Sequence, residues 1–275
     1  MDLHVGNPMV RGALTLFPVF NGGAVRGRGY DLGGGSLHVA ERAGTPVVDQ
    51  LVVTNRGPRP ALLTEGELLT GGRQDRVVTR PVLVAAGRSV VVAVRCVEAG
   101  RWAGGAGHVR AGERAPVAVR AATDDQSAVW RRVAGYGTGA TGALRDTTRD
   151  RRERARLLVG ATAPLPFQCG VLAGVAGQPL LLEVFDSPRT LAAAWDGLLA
   201  GIAVDAVDAD PVVTPAAGPA GSPGRSPRCR PRRCPAGSGD RVRRGDARRS
   251  RRVPVLAGRA IVTVATNPAH PLVSA

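Results

Sequence analysis

The chain predicts an α+β fold built mainly from antiparallel strands, a sandwich or partly closed barrel with a few helices in its second half. Three observations carry this. Up to Glu98 the apolar residues fall in short runs separated by Gly/Pro turns, without helical spacing. Helical spacing begins only after Thr123. Gln168 to Leu199 then reads as a β-β-α closing unit, and consecutive short strands of this kind disfavour a doubly wound sheet.

Ala13 to Phe20 alternates weakly and runs into Asn21-Gly22-Gly23, a strand and a turn. Ser36 to Glu41 and Val47 to Asn55 form a hairpin around Ala43-Gly44-Thr45, with Asn55-Arg56-Gly57-Pro58 as the next turn. Arg59 to Thr64, Glu67 to Thr70, Asp75 to Val84 and Ser89 to Glu98 continue the meander, the last two joined by Ala85-Ala86-Gly87. Ser89 to Val97 is the longest apolar strand, rich in β-branched valine, and is expected to be covered on both faces.

After Trp102 the glycine-rich run from Ala103 to Pro116 reads as a mobile connection. A helix over Asp124 to Ala134 has Thr123 as its N-cap, and a second spans Thr141 or Gly142 to Leu158. In the second, Asp150/Arg154 and Arg149/Glu153 sit four apart, and Arg145, Arg149, Arg152 and Arg156 share one side, a solvated face or a phosphate-binding one. Gly137 to Gly142 matches G-x-G-x-x-G but follows a helix, so it reads as an interhelical turn; the dinucleotide fingerprint requires a preceding strand. Gln168 to Val175 and Pro179 to Phe185 form a hairpin with Gly177-Gln178 at its tip. Asp186 or Ser187 then caps a helix that starts with Pro188 and places Trp195 on the sheet.

The apolar fraction, 44%, supplies a substantial core, which we place in one domain over residues 1–210. All 37 basic residues are arginine, the mark of a GC-rich coding sequence, so the net charge of +15 must be localised before it is interpreted. Pro211 to Arg252 holds 12 arginines against Asp240 and Asp246, a net +10, which leaves +5 for the other 233 residues. This Pro/Gly/Ser/Arg tract cannot offset its ordering entropy by burial and is expected to be disordered. It reads as the product of two compensating frame shifts, as a natural linker, or as a tail for nucleic acid. The last is disfavoured because no aromatic residues interleave the arginines. Apolar order returns in residues 253–275, where Val253 to Val264 contains a terminal strand that docks loosely if the tract is a frame-shift product. The start carries no basic-then-apolar leader and no uninterrupted apolar span of membrane length, so a soluble cytoplasmic protein is expected. Cys96, Cys169, Cys229 and Cys234 suggest neither a disulfide framework nor a four-cysteine metal site.

EGELLTGGRQDRVV from Glu65, CVEAGRW from Cys96 and VFDSPRTLAAAWDGLL from Val184 occur in the order that resembles a domain family named for association with ADP-ribosylglycohydrolases and rhodanese-superfamily phosphatases. The likeness runs from about Leu14 to Asp208. It implies a role near ADP-ribose or nucleotide metabolism, with an ADP-ribosylglycohydrolase or a phosphatase as genomic neighbour. Arg73 and Asp75 stand where the family pattern has lysine and asparagine, which exchanges a neutral amide for a carboxylate.

The candidate site lies between Ala61 and Trp102. As a ligand-binding module the chain would use Arg73, Arg76 and Arg101 on phosphate, Gln74 for polar specificity and Trp102 as a stacking surface. As a hydrolase or transferase it would use Glu65, Glu67 or Glu98 as general base or metal ligand. Glu65 and Glu67 share one strand face, against which stands the plainer reading of an ion-pair network with Arg73, Arg76 or Arg101. A scaffold or partner subunit is the third reading. Cofactor and metal are not specified by any motif. Cys96 reads as a buried structural thiol, because Glu98 shares its face and disfavours the thiolate. Since charge is tolerated cheaply only at the ends of a buried strand, all these groups are expected in one cluster at the sheet rim beside Trp102.

Overall fold

The computed structural model describes residues 3–23, 29–32, 34–44, 47–216, 255–256 and 259–274, with backbone only at 255–256 and 259–260. The fold is α+β and strand-rich. Its first half is a closed antiparallel barrel of β4 (Leu37–Ala40), β5 (Gln50–Asn55), β7 (Glu67–Gly71), β8 (Arg76–Val78), β10 (Ser89–Cys96) and β11 (Gly107–Arg114), in the order β10-β5-β4-β11-β7-β8 and back to β10. Alternation explains the closure: Leu37, Val39, Leu51, Val53, Leu69, Val78, Val92 and Val94 all point inward and pack together. One end is sealed by β6 (Ala61–Leu63) paired with β9 (Val82–Val84). Asn55 anchors that seal, its Nδ2 donating to the carbonyls of Arg59 and Val84 at 2.7 and 3.0 Å.

Three expectations differ from the structure. The run after Trp102 is not a loose connection throughout, because its Gly107 to Arg114 portion is the barrel strand β11. Its inward side chains, His108 and Arg110, are polar, so no apolar alternation marks it. The long strand β10 is covered on one face only, as in any barrel wall: Val92, Val94 and Cys96 are buried while Val91 is 57% exposed. The expected Asp75 to Val84 strand divides into β8 and β9, which pair with different partners.

A second sheet has the order β1 (Leu3–Val5), β3 (Leu14–Asn21), β12 (Gly170–Val175), β13 (Gln178–Phe185) and β16 (Val262–Thr266), with β2 (Met9–Arg11) on β3. The β12–β13 turn has Ala176 and Gly177 at φ 49° and 82°, the left-handed pair that a two-residue hairpin requires. Beside the sheet lies α5 (Pro188–Val204), capped by Ser187 accepting from the Thr190 amide, with Trp195 buried as expected. Gly197 and Gly201 let α5 approach β11, since a Cβ at either would meet the carbonyl of Gly112 at 2.8 Å or Ala115 at 2.9 Å. The linking helices are α1 (Val117–Ala121), α2 (Gln126–Ala134), α3 (Leu144–Thr147) and α4 (Arg149–Val159); Asp125, not Thr123, caps α2. Arg154 turns from Asp150 to Asp208, so the expected pairing along α4 gives way to a tertiary one.

The terminal strand is part of the sheet. β16 pairs with β13 along its length, and Ile261 and Val262 are buried in the main core. Before it, β14 (Val255–Leu256) and β15 (Arg259–Ala260) form a short hairpin. Order also extends past Pro211: Thr214 is buried and its amide donates to Thr15 Oγ1 at 3.0 Å. Residues 217–254, and with them most of the arginine-rich tract, lie outside the described residues. Among the described residues no helix is long and apolar enough to cross a membrane.

Candidate functional site

Strand direction places the ends of β4, β7 and β10 and the starts of β8 and β11 at the same open end of the barrel, opposite the β6–β9 seal. The inward positions there are Glu41, Arg76, Cys96 and His108, beyond the aliphatic cluster that includes Leu51, Leu69, Val78 and Val94. Two segments close over them, residues 71–75 and 97–106. Gly72 makes that possible. At φ 54° its missing Cβ would lie 2.1 Å from His108 Nε2, so any side chain there would collide with the imidazole.

The mouth is a linked set of charges. Glu41 Oε1 accepts from the Arg73 amide at 3.2 Å, meets His108 Nε2 at 3.2 Å, and stands 4.0 Å from Arg76 Nη2. Arg76 Nη1 donates to Gln74 Oε1 at 3.1 Å, and Gln74 Nε2 donates to the Glu98 carbonyl at 3.0 Å. Glu98 receives Arg101 Nε at 2.7 Å and the Asp75 amide at 2.9 Å. Asp75 accepts from the Gly71 amide at 2.9 Å with Arg101 Nη2 3.6 Å away, so a carboxylate at this position is held by one backbone donor and one guanidinium. Trp102, 43% exposed, has the guanidiniums of Arg73 and Arg76 at 5.5 and 5.8 Å from its ring centre. Gln126 clamps the end of β10 by accepting from the Cys96 amide and donating to its carbonyl.

Electrostatics separates the groups. Burial pushes Glu98 upward, but Arg101 and the Asp75 amide outweigh it and hold it below the usual carboxylate range, which makes it a poor proton acceptor. Burial raises Asp75, with Glu98 adding to the rise. Burial also raises the Cys96 thiol, whose Sγ donates to the Glu98 carbonyl at 3.1 Å; its surroundings are those of a structural cysteine. Burial lowers His108 against the opposing pull of Glu41.

Arg73, Gln74, Arg76, Glu98, Arg101 and Trp102 therefore come together as expected, with Asp75. Glu65 and Glu67 do not join them. Glu67 begins β7 and Gly71 ends it, so four residues, about 13 Å of strand, separate that carboxylate from the mouth. Glu67 pairs with Arg110 and accepts from the Thr64 amide and hydroxyl at 3.2 Å. Glu65 faces the buried side chain of Arg120 at 3.6 Å. These two form an ion-pair network, as the plainer reading has it, but with Arg110 and Arg120 rather than Arg73, Arg76 or Arg101. Sequence reasoning missed Glu41 and His108. The alternation of Leu37, Val39 and Glu41 was the one available signal for Glu41; nothing local pointed to His108. Among the described residues no group of three His, Cys, Asp or Glu is arranged to hold a metal ion.

No curated protein and no solved structure matches the chain. The model of the ARG and Rhodanese-Phosphatase-superfamily-associated Protein domain matches residues 2–263, and the chain belongs to that family.

Proposed function

We propose that the protein is a small-molecule-binding module whose ligand presents a phosphate, as ADP-ribose and related nucleotides do, to the mouth of the barrel. The observation that carries the reading is Arg76. Its side chain is fully buried, yet Nε and Nη2 have no hydrogen-bond acceptor. These two nitrogens form the guanidinium edge that grips a phosphate or carboxylate in bidentate fashion. Leaving such donors unmade in a folded interior costs about 1–3 kcal/mol each, a penalty that an anionic ligand would remove. Arg73 supplies the second cation and the exposed part of Trp102 an apolar surface for a base or ribose. Arg101 is committed to Glu98 and to the carbonyls of Gly72 and Ala103, so in this reading it positions the loop rather than the ligand. The enzyme reading receives less support, because each of its three carboxylates faces an arginine. Family company with ADP-ribosylglycohydrolases and phosphatases agrees with a nucleotide-derived ligand.

Thermal unfolding in the presence of ADP-ribose, AMP, ribose 5-phosphate or inorganic phosphate tests this. At least one phosphorylated compound should raise the midpoint of the native protein, and the rise should vanish in Arg73→Ala and shrink in Trp102→Leu. A response to none of them would favour the scaffold reading. Turnover that disappears in Glu67→Gln while ligand is retained would favour the enzyme.

A further inference from the structure

α4, α5 and the end of β11 line an open cavity of about 280 Å³ that shares no residue with the barrel mouth. Its walls differ in character. Ala155 and Val159 of α4 and Leu199 and Ala200 of α5 make an apolar lining, Arg152 and Arg156 bring two guanidiniums, and Glu113 and Asp196 bring two carboxylates. The row of four arginines divides accordingly: Arg145 belongs to α3, and on α4 Arg149 binds Asp146 at 2.9 Å, whereas Arg152 and Arg156, one turn apart, line the cavity.

Arg152 is 6% exposed and held in place, its Nε donating to Thr148 Oγ1 at 3.0 Å and Nη2 to the Arg114 carbonyl at 3.3 Å. That leaves Nη1. It stands 3.5 Å from Glu113 Oε2, and Arg156 Nη2 stands 3.7 Å from Glu113 Oε1. Both distances exceed the 2.7–3.2 Å of an N–H···O hydrogen bond, so Glu113 compensates the charges without saturating either donor. One carboxylate thus spans two arginines, an oxygen toward each, at the edge of the cavity.

We propose that this cavity binds a small organic carboxylate, whose anionic group takes the bridging position of Glu113 between Arg152 and Arg156 and whose apolar body packs on Ala155, Val159, Leu199 and Ala200. The cavity lies just below the usual size range of ligand sites and therefore admits only a compact molecule. A planar carboxylate fits the two-oxygen bridge that Glu113 already makes. Glu113 acts as an internal competitor that a ligand must displace.

Calorimetric titration of the full chain with sodium benzoate, at constant ionic strength and with inorganic phosphate as control, tests the proposal. The native protein should bind benzoate saturably. Glu113→Gln removes the competitor and should bind about fivefold more tightly, the equivalent of losing one partly exposed ion pair worth about 1 kcal/mol. Arg156→Ala, at a largely exposed position that tolerates change, should bind at least fivefold more weakly. A structural role for Glu113 alone would not tighten binding. Benzoate that binds none of these proteins, affinity unaltered or weakened in Glu113→Gln, or inorganic phosphate binding as tightly as benzoate would each overturn the assignment.

Discussion

Arginines and carboxylates gather at both ends of β7. At the far end are Arg73, Arg76 and Arg101 with Glu41, Asp75 and Glu98. Near the start, between barrel and sheet, Glu183 joins Arg114 at 2.6 Å and Arg120 at 2.8 Å, and Arg120 meets Glu65 at 3.6 Å. Glu183 extends from β13, Arg114 ends β11 and Arg120 belongs to α1, so this second cluster ties three elements together in the interior. Burial pushes Glu183 upward, but the two arginines outweigh it and keep the carboxylate ionised. In the mouth, by contrast, the buried arginine has a carboxylate only at 4.0 Å and two donors without acceptors. An abundance of charge therefore does not mark a site; charge left incompletely compensated does.

The largest effect that would break this comparison is in the inner cluster. Glu183→Gln leaves Arg114 and Arg120 buried without their shared counter-charge and should destabilise the fold by about 3–5 kcal/mol, read from the urea midpoint. A loss under 1 kcal/mol would mean that the cluster is not structural. Arg76→Met should lose about 1–2 kcal/mol at most, because Glu41 keeps the Arg73 amide and His108 as partners and two unmet donors disappear with the guanidinium. The same variant should no longer respond to any phosphorylated ligand of the mouth. Equal losses at Glu183 and Arg76 would erase the distinction.

The smallest effect concerns pH. Folding lowers the pKa of His108, so below the ordinary imidazole value of about 6.5 the unfolded chain binds more protons than the native state. The stability this group contributes is present above the unfolded value and is lost as pH falls through the folded one. Urea midpoints measured from pH 7.5 down to 5.5, clear of most carboxylate titrations, should decline more steeply in the native protein than in His108→Gln. Identical slopes would show that Glu41 holds the imidazolium as well as the pocket holds the neutral ring.

Much of the architecture was present in local pattern. Leu14 to Phe20, Leu37 to Asn55 and Gln168 to Leu199 carry their own alternation, turn residues and cap, and these act over a few residues whatever the rest of the chain does. β11 was not legible, because a strand whose inward side chains are His108 and Arg110 lacks the apolar period by which strands are recognised. Closure of the barrel depends on that strand, and so does His108's place in the mouth.

The cluster Arg73, Gln74, Arg76, Glu98, Arg101 and Trp102 could be read from sequence because all its members lie at the ends of two strands, β8 and β10, that pair directly. Glu65 and Glu67 fall within ten residues of it, yet β7 carries them to the opposite end of the barrel wall. Their partners there, Arg110, Arg114 and Arg120, come from more than forty residues downstream. Glu41 reaches Arg76 and His108 across comparable gaps. The chain by itself determined which residue types could form strands, turns and ion pairs, since propensity and alternation are local. Which carboxylate meets which arginine was decided only by the closed barrel, because antiparallel pairing aligns strand ends across separations in sequence that no local pattern records.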